Sequence, residues 1–226
     1  MKTFALTAAP RTNLGKKATK ALRAEGKIPA VINGGEVVTL PYEGALKEGQ
    51  KVVEIAENKS ANTKKAIITT DVVINKEDVR KLIYTPEIFV IDLTVNGETK
   101  KAVLKDIQFH PVTDEILHID FLEVNENKPV VMEVPVALEG HAEGVKAGGK
   151  LTLSMKKLKV KAIYNAIPEK IVVNIDNIKL GQSLKVGALH YDGLELINSK
   201  NAVVCAVQLT RAARGQQAAQ GWYSFR

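Results

Sequence analysis

The sequence predicts a mainly β protein arranged as two β domains. Three observations predict it. Short runs rich in Val, Ile and Thr alternate apolar with polar residues along most of the 226-residue chain. Asn96-Gly97 stands between two such runs, which is the strongest short-range hairpin signal. No strand–helix–strand rhythm recurs, so doubly wound and α/β barrel folds are excluded.

The elements follow in order. Residues 3–8 (TFALTA) read as a strand before Pro10. Residues 15–26 (GKKATKALRAEG) read as a helix with a narrow apolar stripe, Ala18, Ala21 and Leu22, and a stop at Gly26. Lys16, Lys20, Arg23 and Lys27 recur at helical spacing and share one face. Residues 28–34 (IPAVING), 37–42 (VVTLPY), 51–56 (KVVEIA) and 66–74 (AIITTDVVI) read as strands, with 57–65 an exposed loop. Residues 76–83 (KEDVRKLI) read as one or two helical turns capped by Asn75. Strands return at 87–95, 99–109 and 115–124.

Residues 125–129 (NENKP) are polar and end in proline, which suits a domain boundary. Beyond it, 130–138 reads as a strand and 140–149 as a glycine-rich turn. Residues 150–163 keep a two-residue period over many residues and read as a strand. Further strands are expected at 170–175 and 202–209, with weaker signals near 184–186 and 194–197. Residues 211–226 hold no persistent pattern and are expected to form a flexible tail.

Hydrophobic residues make up 45% of the chain and charged residues 25%, values that suit a folded protein rather than a disordered one. The net charge is +7. Residues 1–30 hold seven Lys/Arg and one Glu, whereas the rest of the chain holds 25 bases and 24 acids. The charge is therefore a basic end on a nearly neutral body, which points to a polyanion bound at that end. The single cysteine, Cys205, has no partner for a disulfide or a zinc site. No stretch approaches the roughly 18 apolar residues of a membrane helix, and the start is a poor secretory signal, so a cytoplasmic protein is expected.

Arg11, Lys16, Lys17, Lys20 and Arg23 form the candidate phosphate-binding array. A solvated basic helix would have the same pattern. His118 and Asp120 alternate along one strand and face the same way. Such a pair with a distant histidine, His141 or His190, also resembles the ligand set of an iron oxygenase, an alternative left open here. Gly144–Leu151 nearly matches a phosphate-binding loop. However, Leu151 replaces its Ser/Thr, and a strand pattern follows where a helix is needed. No nucleophile signature occurs and no cofactor is expected.

Arg11 to Gly35 (RTNLGKKATKALRAEGKIPAVINGG) resembles the bacterial 5S-rRNA-binding ribosomal protein twenty-five, the general stress protein Ctc family. Lys105–Pro111 (KDIQFHP) and Leu117–Phe121 (LHIDF) resemble its second signature, and 135–150 the extra domain of its long form. The resemblance implies an N-terminal β-barrel with a few short helices at about 1–126, followed by a β-rich domain at 127–210. It implies that Arg11, Lys16, Lys17 and Arg23 contact the backbone of 5S rRNA in the large ribosomal subunit. It places His118 and Asp120 on the RNA-facing sheet surface, with Gln108 and His110 near its edge. Asn33 stands where many relatives carry Tyr, so this contact changes from aromatic to hydrogen-bonding. Residues 43–75 are longer than usual and are expected to include an added hairpin. The C-terminal domain either meets a neighbouring ribosomal protein or projects into solvent, and its spread charge decides neither. A stress-related RNA-binding factor acting off the ribosome is the other alternative.

Overall fold

A computed structural model of the chain describes residues 2–35, 37–40, 44–58, 63–126 and 128–210. The expected tail at 211–226 lies outside the described residues, as do 41–42 of the expected strand 37–42 and 59–62 of the expected loop. The chain divides into two compact units, Met1–Lys128 and Pro129–Arg226.

Unit one is a closed barrel. Its six staves are β1 (Lys2–Pro10), β2 (Lys27–Asn33), β5 (Thr63–Asn75), β6 (Phe89–Val95), β7 (Glu98–Phe109) and β8 (Ile116–Glu123). They run in the order β1-β6-β7-β8-β2-β5, and the ring closes where Ala9 and Pro10 of β1 pair with Val73 and Val72 of β5. The β1–β6 and β8–β2 pairs are parallel. The Asn96-Gly97 turn joins β6 to β7 with positive φ at both residues (50° and 84°), the conformation that this dipeptide adopts at least cost. Alternate residues fill the interior, including Ile28, Ala30, Ile32, Val72, Ile74, Ile91, Leu93, Ile119 and Phe121. Helix α2 (Lys76–Ile83) adds Val79 and Leu82 to this core.

Two further strands lie off the ring. β3 (Val37–Thr39) and β4 (Gln50–Asn58) flank the first half of β5 and make a three-stranded wing with it. The expected loop at 57–65 is mostly strand, because Asn58 pairs with Thr63. The second half of β5 is a barrel stave, paired to β2 from Thr70 to Asn75. Asn75 stands at the N-terminus of α2 but forms no side-chain cap. Its amide donates to the Asp78 carboxylate at 3.2 Å instead.

The described residues of unit two form two sheets. One has the order β12 (Ile171–Asn174), β9 (Val130–Glu139), β11 (Lys157–Ala162), β14 (Glu195–Leu196). The other has the order β10 (Lys150–Leu153), β15 (Val203–Gln208), β13 (Ser183–Lys185). The expected single strand at 150–163 is thus two strands in different sheets. The chain breaks at Ser154 and Met155, whose N–H groups both donate to the Val204 carbonyl, at 2.9 and 3.1 Å.

The glycine-rich segment 140–149 contains one helical turn, α3 (Glu143–Lys146). The backbone N–H groups of residues 144–149 all donate to carbonyls of the protein, so none is left to cradle a phosphate. A Cβ on Gly149 would lie 2.5 Å from Val207 Cγ1 and 2.6 Å from the Gly144 carbonyl oxygen. This glycine serves close packing.

Candidate nucleic-acid interface

Helix α1 (Lys16–Ala24) follows β1 and leads into β2. It has no buried residue, no side-chain N-cap bond and no acid in its first turn. Two arginines attach it to the barrel. Arg11 donates through Nε to the Asn13 carbonyl (3.0 Å) and through Nη2 to Thr19 Oγ1 (2.7 Å). Thr19 Oγ1 in turn donates to the Gly15 carbonyl at 2.8 Å. Arg23 donates through Nε and Nη2 to the Leu117 carbonyl on β8, at 3.2 and 2.8 Å. Lys27 does not share the helix face, because the helix ends at Ala24 and Lys27 starts β2, paired to Glu25 at 3.0 Å. Lys16, Lys17 and Lys20 remain exposed.

Arg23 therefore anchors α1 one residue from His118. The β8 pleat turns Ile119 and Phe121 into the core and leaves His118 and Asp120 on the outer face. His118 Nδ1 lies 2.8 Å from Asp120 Oδ1. Across the strands, Gln108 pairs with His118 and Asp106 with Asp120. On the other side Val31 pairs with Asp120, and Asn33 with Leu122. The structure thus brings Gln108, His118, Asp120 and Asn33 onto one sheet face beside the helix that carries the lysines.

His110 has a different place. Its Nδ1 accepts from the N–H groups of Val112 and Thr113, at 3.3 and 3.2 Å. Its own N–H donates to the Glu115 carbonyl, and its carbonyl accepts from Asp114. It braces the β7–β8 turn at the edge of the face.

Sequence reasoning missed three members of this neighbourhood. Thr19 holds Arg11, and nothing in its spacing signals this. Asp106 shares a face with Gln108, a placement visible from the two-residue alternation in KDIQF. Asp71 is 8% exposed and sits in the same row as Val31 and Asp120, with Lys51 Nζ at 2.5 Å from its carboxylate. Its carbonyl accepts from the Arg11 N–H, so this pair supports the turn that carries Arg11.

No group of three or more His, Cys, Asp or Glu among the described residues could hold a metal ion, so nothing joins His118 and Asp120 to complete a ligand set. The outer face offers imidazole, carboxylate and amide groups to a hydroxyl or a base edge, and ammonium groups to phosphates.

Comparison with known proteins covers nearly the whole chain. The model of the ribosomal L25p family matches residues 6–72 and 61–121. The model of the ribosomal protein TL5 C-terminal domain matches residues 129–211. The large ribosomal subunit protein bL25 of Parabacteroides distasonis is 54% identical over 223 residues, 96% of this chain and 99% of that protein. The protein of the same name from Porphyromonas gingivalis is 54% identical over 216 residues, 95% of this chain and 97% of the other. That of Bacteroides fragilis is 49% identical over 221 residues, 98% of this chain and 97% of the other.

Proposed function

This chain belongs to the ribosomal L25p family, in its long two-domain form, and from that premise we propose that it is a structural protein of the large ribosomal subunit that binds 5S rRNA. The family is structural and non-enzymatic, which sets aside the oxygenase reading of His118 and Asp120. The chain works among the ribosomes of the cytoplasm. Its barrel unit is the RNA-binding domain.

One observation carries the RNA reading. The basic N-terminal segment folds into a helix whose lysines are exposed and whose Arg23 fastens it beside the polar sheet face. Phosphates run along α1, against Lys16, Lys17 and Lys20 and the unused N–H groups of Arg11 and Arg23. Riboses and base edges meet Gln108, His118, Asp120 and Asn33. The division follows from charge. Asp106 and Asp120 repel a phosphate but accept from a 2′-hydroxyl or a base amino group.

Unit two supports a different partner. On its larger sheet Lys161 pairs with Glu195 at 3.0 Å and Lys159 lies 3.9 Å from Glu133. Two of the three lysines on that sheet thus face an acid, which favours a neighbouring ribosomal protein over RNA at this surface.

Filter binding of full-length protein to 5S rRNA at low salt, against an unrelated duplex of equal length, tests the proposal. The expected result is retention of 5S rRNA at protein concentrations that leave the unrelated duplex free. Equal retention of both would overturn it.

A further inference from the structure

The wing built on the first half of β5 presents an apolar row that the barrel does not use. Val37 of β3 and Val53 of β4 both pair with Ile67 of β5, so the three side chains stand side by side across three strands. Val37 is 53% exposed and Val53 48%. Ile67 is partly exposed between them. None of the three belongs to the barrel core. The two-residue alternation of β5 puts Ile67 on the same side as Thr69 and Asp71, and Asp71 shares its row with Val31 and Asp120. The row therefore continues the outer face that carries His118 and Asp120.

We propose that this row is the dry centre of a protein-docking surface, and that its occupant is a protein neighbour in the large subunit with an aliphatic patch and an acidic margin. The partner's identity as a ribosomal neighbour rests on the RNA reading above. Its chemistry rests on the wing alone. Exposed contiguous aliphatic side chains mark protein contacts, whose centres are poor in charge. RNA fits badly here. β-Branched side chains offer neither a stacking plane nor a hydrogen bond, and stacking and phosphate pairing are what a nucleic-acid surface needs. Of the two lysines described on this face, Lys51 is already paired with Asp71. Lys65 stays exposed at the margin, where it suits an acidic side chain. Continuity with the outer face means that a protein seated on the wing also borders the RNA.

The test uses the full chain with a photo-crosslinking amino acid at position 53, reconstituted into large-subunit particles that lack the protein. Irradiation is expected to join it to one ribosomal protein, at a site with aliphatic and acidic residues. Crosslinks to RNA alone, to a second copy of this chain, or to nothing would overturn the proposal. In parallel, Val53→Asp and Val37→Lys compete with the wild type for the particles. Each is expected to lose at least about tenfold in competition while keeping the wild-type affinity for isolated 5S rRNA and the wild-type unfolding midpoint. Undiminished competition by both variants, or a matching loss of 5S rRNA affinity, would also overturn it. If the wild type itself fails to bind 5S rRNA, the RNA reading falls, and the crosslink still decides the docking surface.

Discussion

Arg23 lies on the polar side of α1, and pattern alone makes it a free cation. The structure gives it two bonds to the Leu117 carbonyl, across 94 residues of chain. The guanidinium fork can reach a carbonyl with two N–H groups and still present others outward. Arg23→Ala is therefore expected to weaken 5S rRNA binding and to lower stability by about 1 kcal/mol, the typical net worth of such a bond. Urea unfolding of the variant checks the second effect. Cys205 shows the opposite case, a residue whose quiet role was legible. It sits in the apolar run AVVCAV and is fully buried on β15. Burial pushes its thiol pKa up, because a thiolate is poorly solvated there. The unfolded chain thus releases this proton at lower pH than the folded one. The contribution to stability is full below the ordinary thiol value and declines as pH rises past it. Alkylation in native protein at pH 8 is expected to be slow and to accelerate sharply in denaturant, which thiol titration measures.

Local signals specified the elements well where the chemistry is local. The Asn96-Gly97 hairpin follows from two residues that tolerate positive φ. A Cβ on Gly97 would meet nothing within 4 Å, so Gly97→Ala isolates the backbone cost. A loss of about 1 kcal/mol is expected, with the same denaturant slope as the wild type, measured by urea unfolding. Alternation looks continuous across 150–163, yet the stretch forms two strands. Its parity changes. Leu151 and Leu153 are the apolar positions of β10, whereas Leu158, Val160 and Ala162 fill those of β11. A strand cannot switch faces without a break, so the shift around Met155–Lys157 was the available signal. The expected Asn75 cap is missing for another reason. Asp78 lies three residues on and attracts the amide of Asn75, which the residue type alone does not reveal.

At the scale of the whole molecule, the mainly β class was legible from the residue pattern, whereas the barrel followed only from the family resemblance. Two of its six seams, β1–β6 and β8–β2, are parallel pairs between strands distant in sequence. No turn residue encodes such pairing, and it emerges only when the inward residues of every stave share one core. The same holds for the candidate site. The basic segment was plain from charge counting, and the His118–Asp120 face from alternation. Their juxtaposition depends on the β2–β8 seam and on Arg23, which only the folded chain supplies. The central claim is that charge on α1 anchors the RNA, and the salt dependence of 5S rRNA affinity tests it most directly. With about four phosphates neutralised, the wild type should give a log–log slope of about −3, and replacing Lys16, Lys17 and Lys20 together by alanine should bring it to about −1. A slope near zero for the wild type, or one unchanged by the triple substitution, would contradict the account.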